Sequence, residues 1–244
     1  IYTQAYTLSL HDALPIYDKL IKRNQKIGNI SSLASLGILV LGFVLSFNPD
    51  QLTWAFAALL LGFIVSQVGL FFGARFGRSP RPDEHLTAAL KGLENRYTLY
   101  HYTTPVSHLL VGPSGAWVLL PYSQGGVIRF DEKKQRWQHK GGNLYLKIFA
   151  QDSLGRPDLD VKGSLADAQK FLNEKLGQSS QVEVKAALVF TNPKVTIEAA
   201  EAPTPTLTAE KLKDFMRKQA KDNAFPNESI LAIQQALPTE SVEA

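Results

Sequence analysis

The feature that most constrains this sequence is the stretch from Ile27 to Ala74, in which Asp50 is the only charged residue. Two apolar segments fill it, residues 30–47 and residues 52–73, and a turn-forming tetrad of sequence NPDQ separates them. As helices these segments would be roughly 27 and 33 Å long, close to the hydrocarbon thickness of a bilayer. The sequence therefore predicts a two-helix transmembrane hairpin rather than a simple soluble globule.

Basic residues flank this predicted hairpin on both sides. They are Lys19, Lys22, Arg23 and Lys26 in a basic flank at 17–29, and Arg75, Arg78 and Arg81 in a linker at 74–82. Because cytoplasmic flanks of membrane helices are enriched in Lys and Arg, we expect a multi-pass cell-membrane protein with both termini cytoplasmic. The net charge is +4, and the whole excess precedes residue 82, which does not favour nucleic acid as a partner.

A stripe of small residues runs along the second apolar segment. Its members are Gly62, Ser66, Gly69 and Gly73. Small residues let helix backbones approach closely in lipid. The stripe favours packing of the two predicted helices on each other, and the alternative is a homodimer through the same residues.

The first residues resemble something other than a protein segment. Residues 7–16 read TLSLHDALPI, which resembles a translated sequencing adapter, so we expect residues 1–16 to be a sequence artefact and exclude them from fold reasoning. The alternative is a genuine amphipathic segment containing His11 and Asp12. The chain begins with Ile, which suggests a fragment of a longer reading frame or one with a damaged start.

Beyond the hairpin, the sequence has the pattern of an α/β domain over residues 83–221, followed by a tail at 222–244. The expected elements are a helix at 83–93, strands at 97–102, 106–111 and 116–120, a hairpin at 127–139, a helix at 164–176, a strand at 182–190, a short strand at 195–198, a helix at 208–221 and a short helix at 228–237 in the tail. This order of elements predicts an α/β sandwich around a mixed sheet.

The second and third predicted strands carry a resemblance to a known family. Residues 106–120, VSHLLVGPSGAWVLL, and the later apolar strand VKAALVFTNPKVTI are similar to the nuclease-related domain, or NERD, family. The resemblance covers about residues 83–220 and implies a restriction-endonuclease-like α/β sandwich of the PD-(D/E)xK type. It also implies a Mg²⁺ site, in which carboxylates hold the ion beside the scissile phosphate and a lysine steadies the attacking water.

This sequence departs from the family's motif at the catalytic positions. Carried over residue by residue, the acid, glutamate and lysine of the motif fall on Ser107, Leu120 and Tyr122. Leucine cannot ligate Mg²⁺ and tyrosine is neutral at cytosolic pH, although His108 and one helical acid, Asp83 or Glu84, are retained. We therefore expect no catalytic residues, no metal and no cofactor in a domain that keeps the nuclease-like fold.

A displaced nuclease centre is the alternative. Asp158, Asp160 and Lys162 follow an acid-x-acid-x-lysine pattern, which would place them on one side of an extended segment beside Glu84 and Mg²⁺. The preceding Gly-Arg-Pro run favours instead a solvated loop before a helix capped by Ser164.

Three functions are compatible with these patterns. The leading hypothesis is a membrane-anchored, catalytically inactive NERD-like protein that binds or scaffolds an unknown protein partner at the cytoplasmic face of the lipid bilayer. The alternatives are a membrane-tethered Mg²⁺-dependent nuclease and a structural membrane subunit. The sequence has no cysteine, no phosphate-binding loop and no metal-ligand spacing among its histidines, which excludes thiolate, P-loop and zinc-finger chemistry.

Overall fold

A computed structural model describes residues 18–77, 79–141, 154–177 and 182–237. These residues form two compact units, a helical unit over Asp18–Arg81 and an α/β unit that begins at Pro82. The expected artefact at 1–16, Arg78 of the expected linker, and residues 238–244 of the expected tail lie outside the described residues.

The helical unit contains two long helices joined by a tight turn. They are α1 (Asp18–Leu45) and α2 (Leu52–Phe72), with a 3-10 turn at Pro49–Gln51 between them and a π-helical turn at Gly73–Gly77 after them. The helix α2 ends within one residue of its predicted limit. The helix α1 begins twelve residues earlier than predicted, because the Lys-, Arg- and Gln-rich flank consists largely of good helix formers and continues the same helix.

The two long helices pack on each other through glycines. A methyl group added at Gly62 would lie 2.8 Å from Leu39 Cγ, and one added at Gly69 would lie 2.5 Å from Ser32 Oγ. Both glycines are buried. Packing within the hairpin, which the stripe of small residues favoured, is therefore confirmed, while the homodimer through the same stripe stays a prediction.

The outward faces of these helices are apolar and exposed. Leu33, Phe47 and Trp54 are exposed to 74%, 73% and 72%. Contiguous apolar surfaces of this extent are unusual on proteins surrounded by water. By length and composition, both helices are able to cross a membrane.

The described residues of the α/β unit form two sheets and four helices. The five-stranded sheet has the spatial order β1 (Thr98–His101), β2 (His108–Gly112), β3 (Gly115–Tyr122), β6 (Val184–Phe190) and β8 (Thr206–Thr208). The three-stranded sheet has the order β5 (Arg136–Lys140), β4 (Gly126–Asp131) and β7 (Val195–Glu198). The helices are α3 (Pro82–Leu90), α4 (Pro157–Leu176), α5 (Ala209–Asp222) and α6 (Asn227–Ala236).

The five-stranded sheet is mixed, as predicted. The strands β1, β2 and β3 form an antiparallel meander, and β6 then pairs in parallel with β3, with Ala116 opposite Val184. The helix α4 lies between these two parallel strands in the chain, as a parallel connection requires. The strand β8 was not predicted, because two prolines precede it; it lies at the sheet edge, where proline is tolerated.

Alternating side chains divide this sheet into two faces. Leu110 and Trp117 belong to a cluster with the buried residues of α3 and α5. Leu109 and Val118 belong to a second cluster with the buried residues of α4 and α6. The result is a sheet between two helical layers, which confirms the mixed α/β class.

The start of α4 differs from the prediction. The helix begins at Pro157 rather than Ser164, so residues 158–162 are neither a loop nor an extended segment. Proline is favoured at the first helical position, and Asp158 and Asp160 in the first turn interact favourably with the helix dipole. Ser164 consequently lies inside the helix and caps nothing.

The expected tail contributes to the core of the domain. Ile230, Ile233 and Leu237 are at most 3% exposed and pack in the same cluster as the buried side chains of α4. The α/β unit therefore extends beyond residue 221, where the sequence had placed the end of the domain.

The replacement Ile233→Ala is expected to destabilise the α/β unit by about 2–4 kcal/mol, because it deletes a fully buried side chain. The control is Leu231→Ala on the same helix, which is 55% exposed and should cost less than about 0.5 kcal/mol. Urea unfolding of the full chain in detergent, followed by tryptophan fluorescence in a Trp54→Phe background, measures both. Equal effects would show that α6 does not pack on the core.

Candidate functional site

The motif positions lie toward one end of the five-stranded sheet. Leu109 of β2 pairs with Val118 of β3. Ser107 lies just before β2, and Leu120 lies two residues after Val118 on β3, so both are at the same end of this strand pair. Tyr122 follows two residues later on the same face of β3.

The side chain at the lysine position joins β3 to α4. The Tyr122 hydroxyl donates a hydrogen bond of 2.8 Å to Asp160 Oδ2, and its ring stacks on Phe190 with centroids 5.4 Å apart. Burial, the hydrogen bond to Asp160 and the charges of Asp160 and Asp158 raise the pKa of Tyr122 well above its usual range. The residue is therefore a neutral donor, in contrast to the ammonium group of a catalytic lysine.

The acid and glutamate positions offer no charged ligand. Leu120 is half-buried and packs against the core cluster beneath α4. Ser107 is half-buried, and its carbonyl oxygen accepts a hydrogen bond of 2.9 Å from the backbone N–H of Tyr102. Hard divalent cations need several oxygen ligands, which this pair of side chains does not supply.

The alternative nuclease residues are not brought together. Glu84 lies on α3, whereas Asp158, Asp160 and Lys162 are exposed on α4, and these helices pack on opposite faces of the sheet. Asp158 makes an ion pair of 3.2 Å with Arg156. Across the ranges that the structure describes, no three His, Cys, Asp or Glu side chains are grouped so that they could hold a metal ion.

A buried pair of histidines lies at the same end of the sheet, on the α3 face. His101 and His108 are opposite each other on β1 and β2, and their Nδ1 atoms are 2.8 Å apart. The Nε2 atom of His101 lies 3.0 Å from Thr87 Oγ1 on α3. In this contact one Nδ1 must donate a hydrogen bond and the other must accept it. The two facing nitrogens therefore cannot both carry a proton.

An aromatic residue and an acid also belong to what we term the histidine cluster, namely His101, His108, Thr87, Tyr102 and Asp83. Tyr102 adopts a positive φ of 59°, and its ring makes an edge contact with His108 at 5.2 Å. Its hydroxyl donates to Asp83 Oδ1 at 3.5 Å. A left-handed backbone costs an aromatic residue roughly 1–2 kcal/mol, so the surrounding contacts hold it there.

The histidine cluster is a buried polar network. Both imidazoles and Asp83 are at most 2% exposed, which leaves them no direct access to a substrate in solution. The cluster joins α3 to the first two strands through side chains that are polar and satisfied. The sequence contains a signal for this pair, since a hairpin with a six-residue connection pairs residues seven apart, as His101 and His108 are.

A shallow cavity of about 460 Å³ lies at the opposite end of the sheet, near Pro113. Two of the cations that line it, Arg96 and Arg217, are already engaged. Arg96 forms an ion pair of 2.6 Å with Glu94, and Arg217 donates to the carbonyl oxygen of Gly92 at 3.0 Å. The cavity contains no pairing of nucleophile and base that would support catalysis.

Comparisons with known proteins add no relative. No protein-family model matches this chain, and neither a curated protein nor a solved structure matches it. The class of protein therefore follows from its architecture alone, which consists of an apolar helical hairpin and a mixed α/β domain.

Proposed function

We propose that this chain is a membrane-anchored, NERD-like protein whose domain has a restriction-endonuclease-like fold without a nuclease centre. Its role is to bind or scaffold a protein partner at the cytoplasmic face of the membrane. The order of helix, antiparallel three-stranded meander, crossover helix and parallel strand, between two helical layers, supports this fold.

The side-chain contacts at the end of β3 are the observation that supports the loss of nuclease activity. Here the hydroxyl of Tyr122 is bound to the carboxylate of Asp160, and Leu120 packs into the core. Asp160, an acid beside the motif positions on this face, is thus already engaged by a neutral donor. A catalytic site would require converging carboxylates and a cation at the same place.

We predict that the full chain in detergent or nanodiscs does not cleave DNA or RNA with Mg²⁺ or Mn²⁺. A plasmid-nicking assay and a fluorogenic RNA assay measure this, with Glu84→Ala and Asp160→Ala proteins as controls for contaminating nuclease. Cleavage that both variants retain comes from a contaminant. Cleavage that either variant abolishes would overturn this proposal and establish the displaced nuclease centre.

The charge distribution supports insertion of the hairpin with both ends cytoplasmic. The exposed cations Lys22, Arg23 and Lys26 precede the apolar part of α1, and Arg75 follows α2. The turn between the helices carries Asp50 and no cation. Such asymmetry orients membrane helices with their basic flanks inside.

Cysteine accessibility tests this orientation without background, because the chain contains no cysteine. In intact cells, a membrane-impermeant maleimide should label Gln51→Cys in the turn and leave Lys170→Cys on α4 unlabelled until the cells are permeabilised. Both positions are exposed in the structure. Labelling of Lys170→Cys in intact cells would contradict a cytoplasmic domain.

A further inference from the structure

We propose that one face of α1 is a binding surface for the phosphate groups of anionic lipids. The surface, termed the cationic stripe, consists of Lys19, Lys22, Arg23 and Lys26. This inference rests on the proposed membrane insertion and adds a lipid preference to it.

The helix places these four cations on one side. Their spacing is i, i+3, i+4 and i+7, which lies on a single face of the continuous helix Asp18–Leu45. All four residues are exposed. The opposite face is turned inward, because Ile21, Asn24 and Gly28 are buried. The cations therefore project outward together.

Local helix energetics do not explain the stripe. Lys19, in the first turn of α1, is disfavoured by the helix dipole, and like charges three or four residues apart repel one another. Over residues 18–77 and the other described ranges, none of the four makes an ion pair. An anionic partner would relieve this repulsion.

The position of the stripe indicates a lipid phosphate as that partner. Lys26 directly precedes Ile27, where the apolar part of α1 begins, so insertion of α1 brings the Lys26 side chain to the depth of the headgroups. Arg75 lies just beyond the end of α2, 5.4 Å from the Phe71 ring, and adds a further cation after that span. Basic clusters beside a membrane helix attract anionic lipids, each residue contributing roughly fivefold in local binding.

The test uses the full chain in nanodiscs of phosphatidylcholine with a minor fraction of phosphatidylserine, and counts retained lipids by native mass spectrometry. The wild-type chain should retain phosphatidylserine with at least about tenfold enrichment over its bulk fraction, falling with added salt. Replacing all four stripe residues by glutamine should abolish the enrichment. The matched control replaces four exposed lysines of the α/β unit by glutamine, namely Lys133, Lys134, Lys211 and Lys218.

The outcomes separate this inference from the proposed function. If the wild-type chain does not enter nanodiscs, membrane anchoring itself is wrong. If the wild-type and stripe variants both enter and retain equal phosphatidylserine, only the lipid preference is overturned. Loss of enrichment in the control as well would also overturn it, because bulk charge would then account for the effect.

The relative effects of single substitutions test which end of the cationic stripe lies nearer the membrane. Lys19 lies about 10 Å further along the helix axis than Lys26, which is about one screening length at physiological salt. The replacement Lys26→Gln should therefore reduce the enrichment more than Lys19→Gln. Equal reductions, or the reverse order, would contradict a stripe that approaches the membrane at its Lys26 end.

Discussion

Replacing Gly112 by alanine is expected to destabilise the α/β unit by about 3 kcal/mol or more, because the added methyl group would overlap the ring of Tyr97. The ring cannot easily move aside. It is buried, and its hydroxyl donates to the carbonyl oxygen of Met216 at 3.3 Å. Burial also raises the pKa of Tyr97, so the hydroxyl remains a donor at neutral pH.

The matched control for this substitution is Gly163→Ala in α4. A methyl group at Gly163 has nothing within 4 Å, and alanine is the better helix former by about 1 kcal/mol, so this change should be neutral or stabilising. Chemical unfolding of the full chain in detergent, monitored by circular dichroism, compares the two variants. Similar midpoints for both would show that β2 and Tyr97 are not packed as described.

The second large effect is expected in the membrane hairpin. The replacement Gly69→Leu places a large side chain where the backbone and hydroxyl of Ser32 already lie, so the helices cannot approach to their present distance. We expect the pairing of α1 and α2 to be lost over most of their length. The readout is a disulfide between Gly42→Cys and Leu59→Cys, whose positions touch near the other end of the pair.

Because the chain has no native cysteine, the yield of this disulfide reports only on the helix pair. The yield should fall by more than half in the Gly69→Leu background. A matched control is Gly37→Leu on α1, where an added methyl group meets nothing within 4 Å, and the yield should be unchanged. Full cross-linking in the Gly69→Leu protein would contradict close packing along the glycines.

The core strands could be predicted because their pattern is local. Val184–Phe190 is almost continuously apolar and forms a buried central strand, as such runs do. The start of α4 could have been predicted too, since Pro157 and the following acids are helix-start signals. The prediction of a loop here was wrong because a Gly-Arg-Pro run is also typical of a turn.

The candidate site could be predicted only in part. The pairing of β2 with β3 could be predicted, because strands joined by a tight turn have a determined register. The bond between Tyr122 and Asp160 joins residues 38 positions apart, and it depends on where α4 packs. The contribution of Ile233 to the core likewise depends on α6 folding back onto the sheet.

The amino-acid sequence by itself determined the apolar hairpin and the mixed α/β domain, because hydrophobic period, chain length and turn residues act over a few neighbouring positions. Only the tertiary structure decided the pairing of His101 with His108, the engagement of Asp160 and the inclusion of the last helix in the core. Each of these depends on elements that meet through packing, and a local pattern contains no information about which distant side chain will be met.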